Sequence, residues 1–409
     1  MELKEDIVIV GAGIAGLATA LGLHRLGLKS LVLESSTCLR VTGAAFTTWT
    51  NAWQALDALG IGNSLRGQHL RLHGMVATST TLGVQIGQTA YTAKGTTVGH
   101  EVRCLKRKVL LETLANELPS GTIRFSSKVA SVEKVGSLML LCLADGTILK
   151  TKVLIGCDGV NSVVARYLGL KKPSFDGRSA IRGYAVFKES HGFEPKIMQF
   201  IGEGKRYGIV PCDDTSLYWF FTSSSSYIDK EIEGNPAKMK QFVLSNLEKV
   251  PDKIRNVIEI TKVDDIICSQ LRLRSPWEIL LGDISKDNVC VAGDAFHPMT
   301  PDLGQGACSA LEDGIVLARC LAEAFTEKST GQEYSKEEEY ERIKISLKKY
   351  AKERRWRGFD LVTTAYLLGA IMQSNDKMTA FLRNKVVTPF LGDLLLKKAS
   401  FNCGQLAPM

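Results

Sequence analysis

The chain of 409 residues has no internal repeat and no low-complexity tract. It also has no run of about 18 consecutive apolar residues, which excludes a predicted membrane-spanning helix. The first apolar strand signal begins near Ile7 and no cleavage site precedes it, so we predict no signal peptide and expect a cytoplasmic protein. With 45% hydrophobic residues, the length suits one large or two ordinary globular domains.

The ten cysteines form no C-x-x-C pair, and the six histidines occur at no spacing typical of metal ligands. Cys157 and Cys290 lie inside apolar runs, which is typical of small buried side chains in a reducing compartment. Lys and Arg total 51 against 43 for Asp and Glu, but the basic residues are dispersed rather than clustered with aromatic residues. The composition therefore predicts no disulfide, no metal site and no nucleic-acid partner.

Residues 6–34, DIVIVGAGIAGLATALGLHRLGLKSLVLE, have the pattern of a strand, a glycine turn, a helix and a second strand that ends on an acid. The turn contains G-x-G-x-x-G, formed by Gly11, Gly13 and Gly16. In dinucleotide-binding folds these glycines allow a tight turn, close approach of a pyrophosphate and packing of the helix on the strand. Glu34 is placed to bind a ribose with free hydroxyl groups and would repel a 2′-phosphate. The stretch predicts NAD or FAD rather than NADP, and it does not decide between them.

Two later stretches bear on which dinucleotide the chain binds. In LIGCDGVNSVVAR, an apolar strand ends at Asp158, which either faces a ligand or belongs to an ordinary strand-to-helix turn capped by Asn161 or Ser162. In CVAGDAFHPMTPDLGQGA, Asp294 follows a strand and is placed to accept hydrogen bonds from a polyol. The helix that begins beyond Gly304 can direct its positive end at an electron-rich ring, such as a reduced flavin.

Together these stretches resemble the FAD-dependent aromatic-ring hydroxylases, the single-component flavoprotein monooxygenases with the p-hydroxybenzoate hydroxylase fold. The matching pieces are GAGIAGLATALGLHRLGLKSLVLE, EVRCLKRKVLLETLANELP, GCDGVNS and GDAFHPMTPDLGQGACSALED. The string LRVTGAAFTTWTNAWQALDALG looks most like the plant members, which are related to salicylate-hydroxylase-like and zeaxanthin-epoxidase-like proteins.

The resemblance implies an α/β fold with three parts. An FAD-binding, Rossmann-like domain is expected over residues 1–75, 100–175 and 275–330. It is interleaved with an antiparallel-sheet substrate domain over residues 76–99 and 176–274. A C-terminal helical region is expected over residues 331–409.

The resemblance also implies which residues hold FAD. The pyrophosphate is expected at the glycine turn and the start of its helix, formed by Gly11, Gly13, Ile14, Ala15 and Gly16. Glu34 is expected at the adenosine ribose, Arg107 and Arg103 at the phosphate or ribityl group, and Gly293 and Asp294 at the ribityl chain. Asp158 and Gly159 belong to a motif associated with both FAD and NAD(P)H. The isoalloxazine ring is expected against Pro301, Gly304, Gln305, Gly306 and Ala307. A loop that bears on movement of the ring is expected at Arg40, Gly43, Ala44 and Ala45.

Apolar and polar residues alternate over about 176–270, which predicts an antiparallel sheet. In the resembling family such a sheet covers the substrate pocket. Candidate pocket residues, each alternatively a packing or loop residue, are Phe46, Tyr184, Tyr207, Tyr218, Phe220 and His297. No catalytic base is identified, because Glu312 and Asp313 are adjacent on a helix and diverge by about 100°. They are therefore not expected to form an acid pair.

Beyond residue 330, the segment EYSKEEEYERIKISLKKYAKERRWRGFD predicts a charged, exposed helix. Two short apolar segments follow, LVTTAYLLGAIM and TPFLGDLLLKKASF, and both are too short to cross a bilayer. We expect them to pack on the FAD domain; contact with a membrane surface or a second subunit is the alternative. A monomer and a homodimer both remain open.

The activity implied by the resemblance is monooxygenation. NADPH or NADH would act as a transient co-substrate that reduces FAD, O2 would form a flavin C4a-hydroperoxide, and a small aromatic or otherwise electron-rich substrate, including an alkene, would be hydroxylated or epoxidised. One alternative is an FAD enzyme of the same fold that does not oxygenate, such as a reductase, an oxidase or a cyclase. Others are a protein that binds FAD without catalysis and an NAD-dependent dehydrogenase. Binding of NAD does not require the stretch around Asp294, which weighs against the dehydrogenase.

Overall fold

The structure, a computed structural model, describes residues 2–40, 44–91, 99–228, 230–247, 250–325 and 334–406. The strands are β1 (Glu2–Val10), β2 (Leu31–Leu33), β3 (Ala45–Thr48), β4 (Gly74–Ser79), β5 (Val84–Ala90), β6 (Arg103–Lys106), β7 (Ile123–Arg124), β8 (Val129–Val135), β9 (Leu138–Leu143), β10 (Ile148–Gly156), β11 (Ser174–Val186), β12 (Lys196–Gly202), β13 (Lys205–Asp213), β14 (Ser216–Ser224), β15 (Ile267–Leu273), β16 (Ser285–Lys286) and β17 (Val289–Val291).

The helices are α1 (Ile14–Arg25), α2 (Thr50–Ala58), α3 (Gly62–Arg66), α4 (Arg107–Asn116), α5 (Val163–Tyr167), α6 (Lys230–Glu233), α7 (Pro236–Ser245), α8 (Asp252–Ile260), α9 (Pro276–Leu281), α10 (Gly306–Phe325), α11 (Lys336–Met372), α12 (Lys377–Leu382) and α13 (Leu391–Lys398). Single 3₁₀ turns at Gly159–Asn161, Gly293–Ala295 and Pro301–Leu303 adjoin the stretches singled out in the sequence.

The first sheet has the strand order β16-β17-β10-β1-β2-β7, with β8 and β9 attached at β10. β1, β2, β10 and β17 run parallel, and their last residues are in register: Val10 lies beside Leu33 and Gly156, and Gly156 lies beside Val291. Parallel strands in register end at the same edge of a sheet, where open α/β folds bind their ligands. The three stretches singled out in the sequence therefore leave the sheet at one place, and the predicted α/β fold is confirmed.

Helix α1 is buried because it lies between this sheet and α10. Its residues from Ile14 to Leu23 are all buried, which is expected for a helix that is apolar on every side. Gly16 makes the close contact with β1 possible, since a Cβ there would collide with the carbonyl oxygen of Gly11. Gly11 itself has φ +103°, a conformation that glycine adopts without strain.

The second sheet has the order β15-β11-β14-β13-β12-β4-β5. β11 to β14 pair in antiparallel fashion, as the alternation predicted, and β4 adds to β12 in parallel. Residues 230–245 and 252–260 differ from the predicted sheet, because they contain α6, α7 and α8. Their apolar side chains recur at helical spacing, as in Met239 and Val243, and pack on one face of the sheet against Trp219 and Phe221.

The C-terminal region is dominated by α11, which has 37 residues. It begins at a capping box formed by Ser335 and Glu338, and it continues without interruption through the apolar segment 361–372. The expectation of an exposed helix is wrong for one of its faces, since Tyr350 and Arg354 are fully buried. Among the residues described, no helix combines the length and the apolar character needed to span a bilayer.

Candidate cofactor and substrate site

The glycine turn leaves an open space in front of α1. Gly13 is the residue before the helix, and a Cβ built on it would meet no protein atom within 4 Å. Gly13, Ile14 and Ala15 line a cavity of about 390 Å³. The first N–H groups of a helix have no partner within the helix and carry a partial positive charge. This end of the cavity is therefore suited to an anionic group such as a pyrophosphate.

Glu34 lies beside the turn, at the end of β2. Its carboxylate accepts hydrogen bonds from the backbone N–H of Ala12 at 2.9 Å and of Ser36 at 2.8 Å. Burial alone would raise the pKa of Glu34, but these bonds and the nearby Arg40 lower it below its ordinary value. Arg40 is 3.3 Å from Glu34, so it lies at this end of the site rather than at the ring end that the resemblance implied. Gly43 lies outside the described residues.

The loop between β17 and α10 forms another side of the cavity. Gly293 and Asp294 line it at the end of β17, and the Asp294 side chain is exposed. Further along the loop the lining residues are Met299, Thr300, Pro301, Gly304, Gly306 and Ala307. Gln305 does not join them, because its side chain is buried and accepts a hydrogen bond from Asn51 at 2.9 Å.

Arg107 approaches the cavity from α4. Its backbone N–H donates to the carbonyl of Ala44 at 3.0 Å, and Ala45, the next residue, lines the cavity. The Nε of Arg107 is buried without a hydrogen-bond partner among the residues described. Burial lowers the pKa of Arg107, and the nearby carboxylate of Asp294 opposes that shift. The guanidinium is therefore a charged donor available to a ligand.

Arg103 has a different environment from the one predicted. Its Nε forms an ion pair with Glu101 at 2.9 Å, and its Nη1 donates to the carbonyl of His69. The guanidinium also lies over the ring of Trp53. Because its donors bind other parts of the chain, Arg103 is a packing residue and does not line the cavity.

Asp158 belongs to a strand-to-helix turn, one of the two interpretations that the sequence left open, and Ser162 is the residue that caps α5. Its carboxylate accepts hydrogen bonds from the hydroxyl of Ser162 at 2.5 Å and from the N–H of Val163 at 2.7 Å, at the start of α5. Burial raises its pKa, and these hydrogen bonds oppose the shift. The neighbouring Cys157 and Gly159 line the cavity. Asp158 therefore shapes the turn that faces the cavity.

The second sheet covers the opposite side of the cavity. Tyr218 lines it, and the sheet register places Tyr184 beside Tyr218 and Arg182 beside Phe220, on the same face of the sheet. Arg182, which also lines the cavity, was not identified from the sequence. Phe46 lines the cavity from β3. Burial raises the pKa of Tyr218 to about 12, so its hydroxyl stays protonated at neutral pH.

Tyr207 and His297 are not pocket residues. Tyr207 pairs with Phe221 and stacks on Phe200, on the sheet face covered by α7 and α8. The alternation of the strand thus directs Tyr207 away from the cavity. His297 is fully buried behind the loop, where its Nε2 lies 2.7 Å from a carboxylate oxygen of Asp313.

A buried charge cluster supports the loop from behind. Arg354 of α11 is 2.7 Å from Glu312 and 2.6 Å from Asp313, and all three side chains are fully buried. Asp313 also accepts from the N–H of Gly293 at 2.8 Å. Burial would raise the pKa of both carboxyls, but His297 and Arg354 at Asp313, and Arg354 and Arg357 at Glu312, hold both below their ordinary values. Asp313 thus anchors the loop at Gly293 and His297, whereas Glu312 binds Arg354 and Arg357, and the two carboxylates do not form an acid pair.

Comparisons with known proteins identify the family. Residues 4–342 match the family model described as FAD binding domain. Monooxygenase 2 of Arabidopsis thaliana is 52% identical over 409 residues, which are 100% of this chain and 99% of that protein. Monooxygenase 1 of the same plant is 34% identical over 98% of this chain and 99% of its own length.

The fold is also similar to that of Klebsiella pneumoniae HpxO in complex with FAD and uric acid. The TM-score is 0.81 at 20% identity, over 99% of this chain and 98% of HpxO. The chain therefore belongs to the FAD-dependent monooxygenases, the family of the aromatic-ring hydroxylases, and its cofactor is FAD.

Three observations indicate that the residues present fit this cofactor. The space in front of Gly13 would be filled by a Cβ, which suits a group that approaches the backbone closely. Arg107 has a buried donor without a partner among the described residues. Asp294 is exposed at the same cavity and can accept hydrogen bonds. A site for an anionic group, a hydrogen-bond donor and an acceptor for a polyol are thus provided along one cavity.

Proposed function

We propose that this chain uses NAD(P)H and O2 to hydroxylate, or epoxidise, a small aromatic or otherwise electron-rich substrate. The observation that carries the proposal is that one cavity joins the glycine turn and the β17–α10 loop to the aromatic face of the second sheet. The side that would hold a cofactor and the side that would hold an organic ring therefore face each other. The monooxygenase relatives support the same activity.

We assign the FAD contacts along this cavity and at Glu34, which lies beside the glycine turn and does not line the cavity. The N–H groups that follow Gly13 would bind the pyrophosphate, and Glu34 would bind the adenosine ribose. Arg107 and Asp294 would hold the ribityl chain. The loop of residues 301–307 would lie against the flavin ring, with the positive end of α10 directed at it. We retain the three-part domain division expected from the sequence as part of this proposal.

Bound FAD supplies the redox chemistry, because it accepts reducing equivalents from NAD(P)H and activates O2. The chain orients the reactants and excludes water. Tyr218 keeps its proton and can donate a hydrogen bond to a substrate oxygen, while Phe46 offers an apolar contact to a ring. The β17–α10 loop is held rigidly by the buried cluster of Arg354 and Asp313.

The first test is anaerobic reduction of the purified holoenzyme by NADH and by NADPH, followed through the absorption of oxidised flavin. We expect at least one nucleotide to reduce the flavin, and an aromatic substrate found by screening to accelerate the reduction. If neither nucleotide reduces the flavin with any member of a broad aromatic panel, the proposal fails and an FAD protein without catalysis is favoured. Reduction by NAD(P)H with product formation that needs no O2 would favour a reductase.

A further inference from the structure

An exposed aromatic patch lies on α9, α11 and β11, away from the cavity. We define it by six side chains with these exposed fractions: Leu281 79%, Trp277 66%, Trp356 64%, Leu367 53%, Tyr366 44% and Phe175 42%. Phe359 is half-buried between the two tryptophans, with ring centroids 6.3 Å from Trp277 and 5.7 Å from Trp356. The patch therefore contains two of the five tryptophans of the chain.

The patch has both projecting and concave parts. A groove of about 500 Å³ runs beside it, lined by Phe175, Pro276, Trp277, Phe359, Tyr366 and Leu367 among others. Leu281 and Trp356 project from the same surface and do not line the groove. A surface with a projection and a neighbouring groove can be complementary to itself across a two-fold axis.

Helix α11 contributes a seam to the patch. Trp356, Phe359, Thr363 and Tyr366 follow one another at spacings of three and four residues, and none of them is charged. This spacing is typical of helices that pack along a partner helix. The opposite face of α11, which includes Leu361 and Leu368, is already buried in the core of the chain.

We propose that the aromatic patch binds a second copy of this chain, with the two α11 helices crossing near Thr363 in an isologous dimer. A large aromatic side chain carries roughly 150–250 Å² of surface, so the exposed fractions of Trp277, Trp356, Tyr366 and Phe175 amount to on the order of 430 Å² per copy, to which the two leucines add. A standard stable interface buries about 800 Å² per partner. The aromatic side chains alone therefore supply about half of the area that a stable dimer needs.

The composition favours a protein partner over a lipid surface. Trp, Tyr and Phe are enriched at the centre of protein interfaces, and Lys is depleted there. A membrane-binding helix is also typically rich in Lys and Arg beside its apolar face. Near Trp356, Arg355 donates to the carbonyls of Ile279, Leu280 and Gly282 at 2.7–2.9 Å and Arg357 pairs with Glu312, which leaves Lys352 as an exposed cation there.

The first experiment measures the mass of the FAD-loaded enzyme in solution by sedimentation equilibrium. At low micromolar concentration we expect twice the chain mass of 44.7 kDa. Trp356→Glu should raise the dimer dissociation constant by at least about 30-fold, because a central aromatic residue of an interface is replaced by a charge. Phe381→Glu is the matched control, since Phe381 is 62% exposed on α12, outside the patch, and we expect it to leave the dimer unchanged.

A second experiment does not depend on disrupting the surface. In a Cys38→Ser background, which removes the one exposed cysteine of the described residues, Thr363→Cys should form a disulfide between two chains under mild oxidation. Ile345→Cys should not, although Ile345 is 63% exposed on the same helix. FAD content, measured for each variant, should match the wild type.

Several results would overturn the proposal. One is a wild-type enzyme that is monomeric at all concentrations tested. Others are a dimer that survives Trp356→Glu with normal FAD content, or a dimer that only Phe381→Glu dissociates. A monomer that sediments with phosphatidylserine vesicles through Trp356 would assign the patch to a lipid surface instead.

Discussion

Replacement of Gly13 by alanine separates an effect on FAD binding from an effect on folding stability. Gly13 has φ −80° and ψ −174°, which alanine adopts without strain, and the added Cβ meets no protein atom within 4 Å. Without FAD, Gly13→Ala should leave stability unchanged or raise it by about 0.4–1 kcal/mol, since alanine restricts the unfolded chain. In the holoenzyme the methyl group would occupy the space assigned to the pyrophosphate. Overpacking of this kind costs about 1–3 kcal/mol, which corresponds to roughly 5- to 150-fold weaker FAD binding.

Gly16→Ala is the matched control in the same turn. A Cβ at Gly16 would collide with the backbone carbonyl of Gly11, which cannot move without separating α1 from β1. This variant should therefore lose about 3 kcal/mol or more of stability even without FAD.

Urea unfolding of the apoprotein and titration of FAD by quenching of flavin fluorescence measure the two effects separately. The reasoning is refuted if Gly13→Ala folds normally and binds FAD within about twofold of the wild type. It is also refuted if the apoprotein of Gly13→Ala is as unstable as that of Gly16→Ala.

Three further predictions concern single side chains. Asp294→Ala should weaken FAD binding by at least about tenfold in a fluorescence titration, because a hydrogen bond to a charged group contributes about 1.5–3 kcal/mol, while the thermal midpoint of the apoprotein stays unchanged. Tyr218→Phe should raise KM for a hydroxylated substrate and leave the pH profile of kcat unchanged below about pH 10, because the Tyr218 pKa of about 12 keeps the hydroxyl protonated in the wild type. Arg354→Met should cost about 3–5 kcal/mol in urea unfolding at pH 7, since it removes the guanidinium that the buried carboxylates of Glu312 and Asp313 share. The lowered pKa of Asp313 stabilises the wild-type fold above the unfolded pKa of about 4, and that contribution is lost as the pH falls through the folded pKa, so the deficit of the variant should shrink in acid. Exposed Lys352→Met, on the same helix, should change stability by no more than about 0.5 kcal/mol.

The parts of the site that the sequence could predict are those encoded locally. The second strand ends at Leu33, immediately before the acid Glu34, and the glycine turn leads into α1 as expected. Asp294 lies at the end of its strand and faces the cavity. In each case the signal is a backbone requirement or a periodicity within a few residues, so it does not depend on the rest of the chain.

The parts that could not be predicted depend on contacts between distant segments. Arg103 and Arg107 are four residues apart, and only the position of Glu101 and the open cavity distinguish their roles. Tyr207 and Tyr218 are both aromatic strand residues, but the register places them on opposite faces. Arg354 meets Asp313 across 41 residues, and no local pattern indicates that pairing.

The most direct test of the central claim is a single turnover in labelled oxygen. The FAD-loaded enzyme is reduced with NAD(P)H, mixed with the substrate found by screening in buffer that contains ¹⁸O2, and the product is analysed by mass spectrometry. We predict that one atom of oxygen-18 enters each product molecule, and that Gly13→Ala lowers the yield in proportion to its lost FAD. Product that carries no label, or that takes its oxygen from labelled water instead, would contradict the assignment of this cavity to monooxygenation.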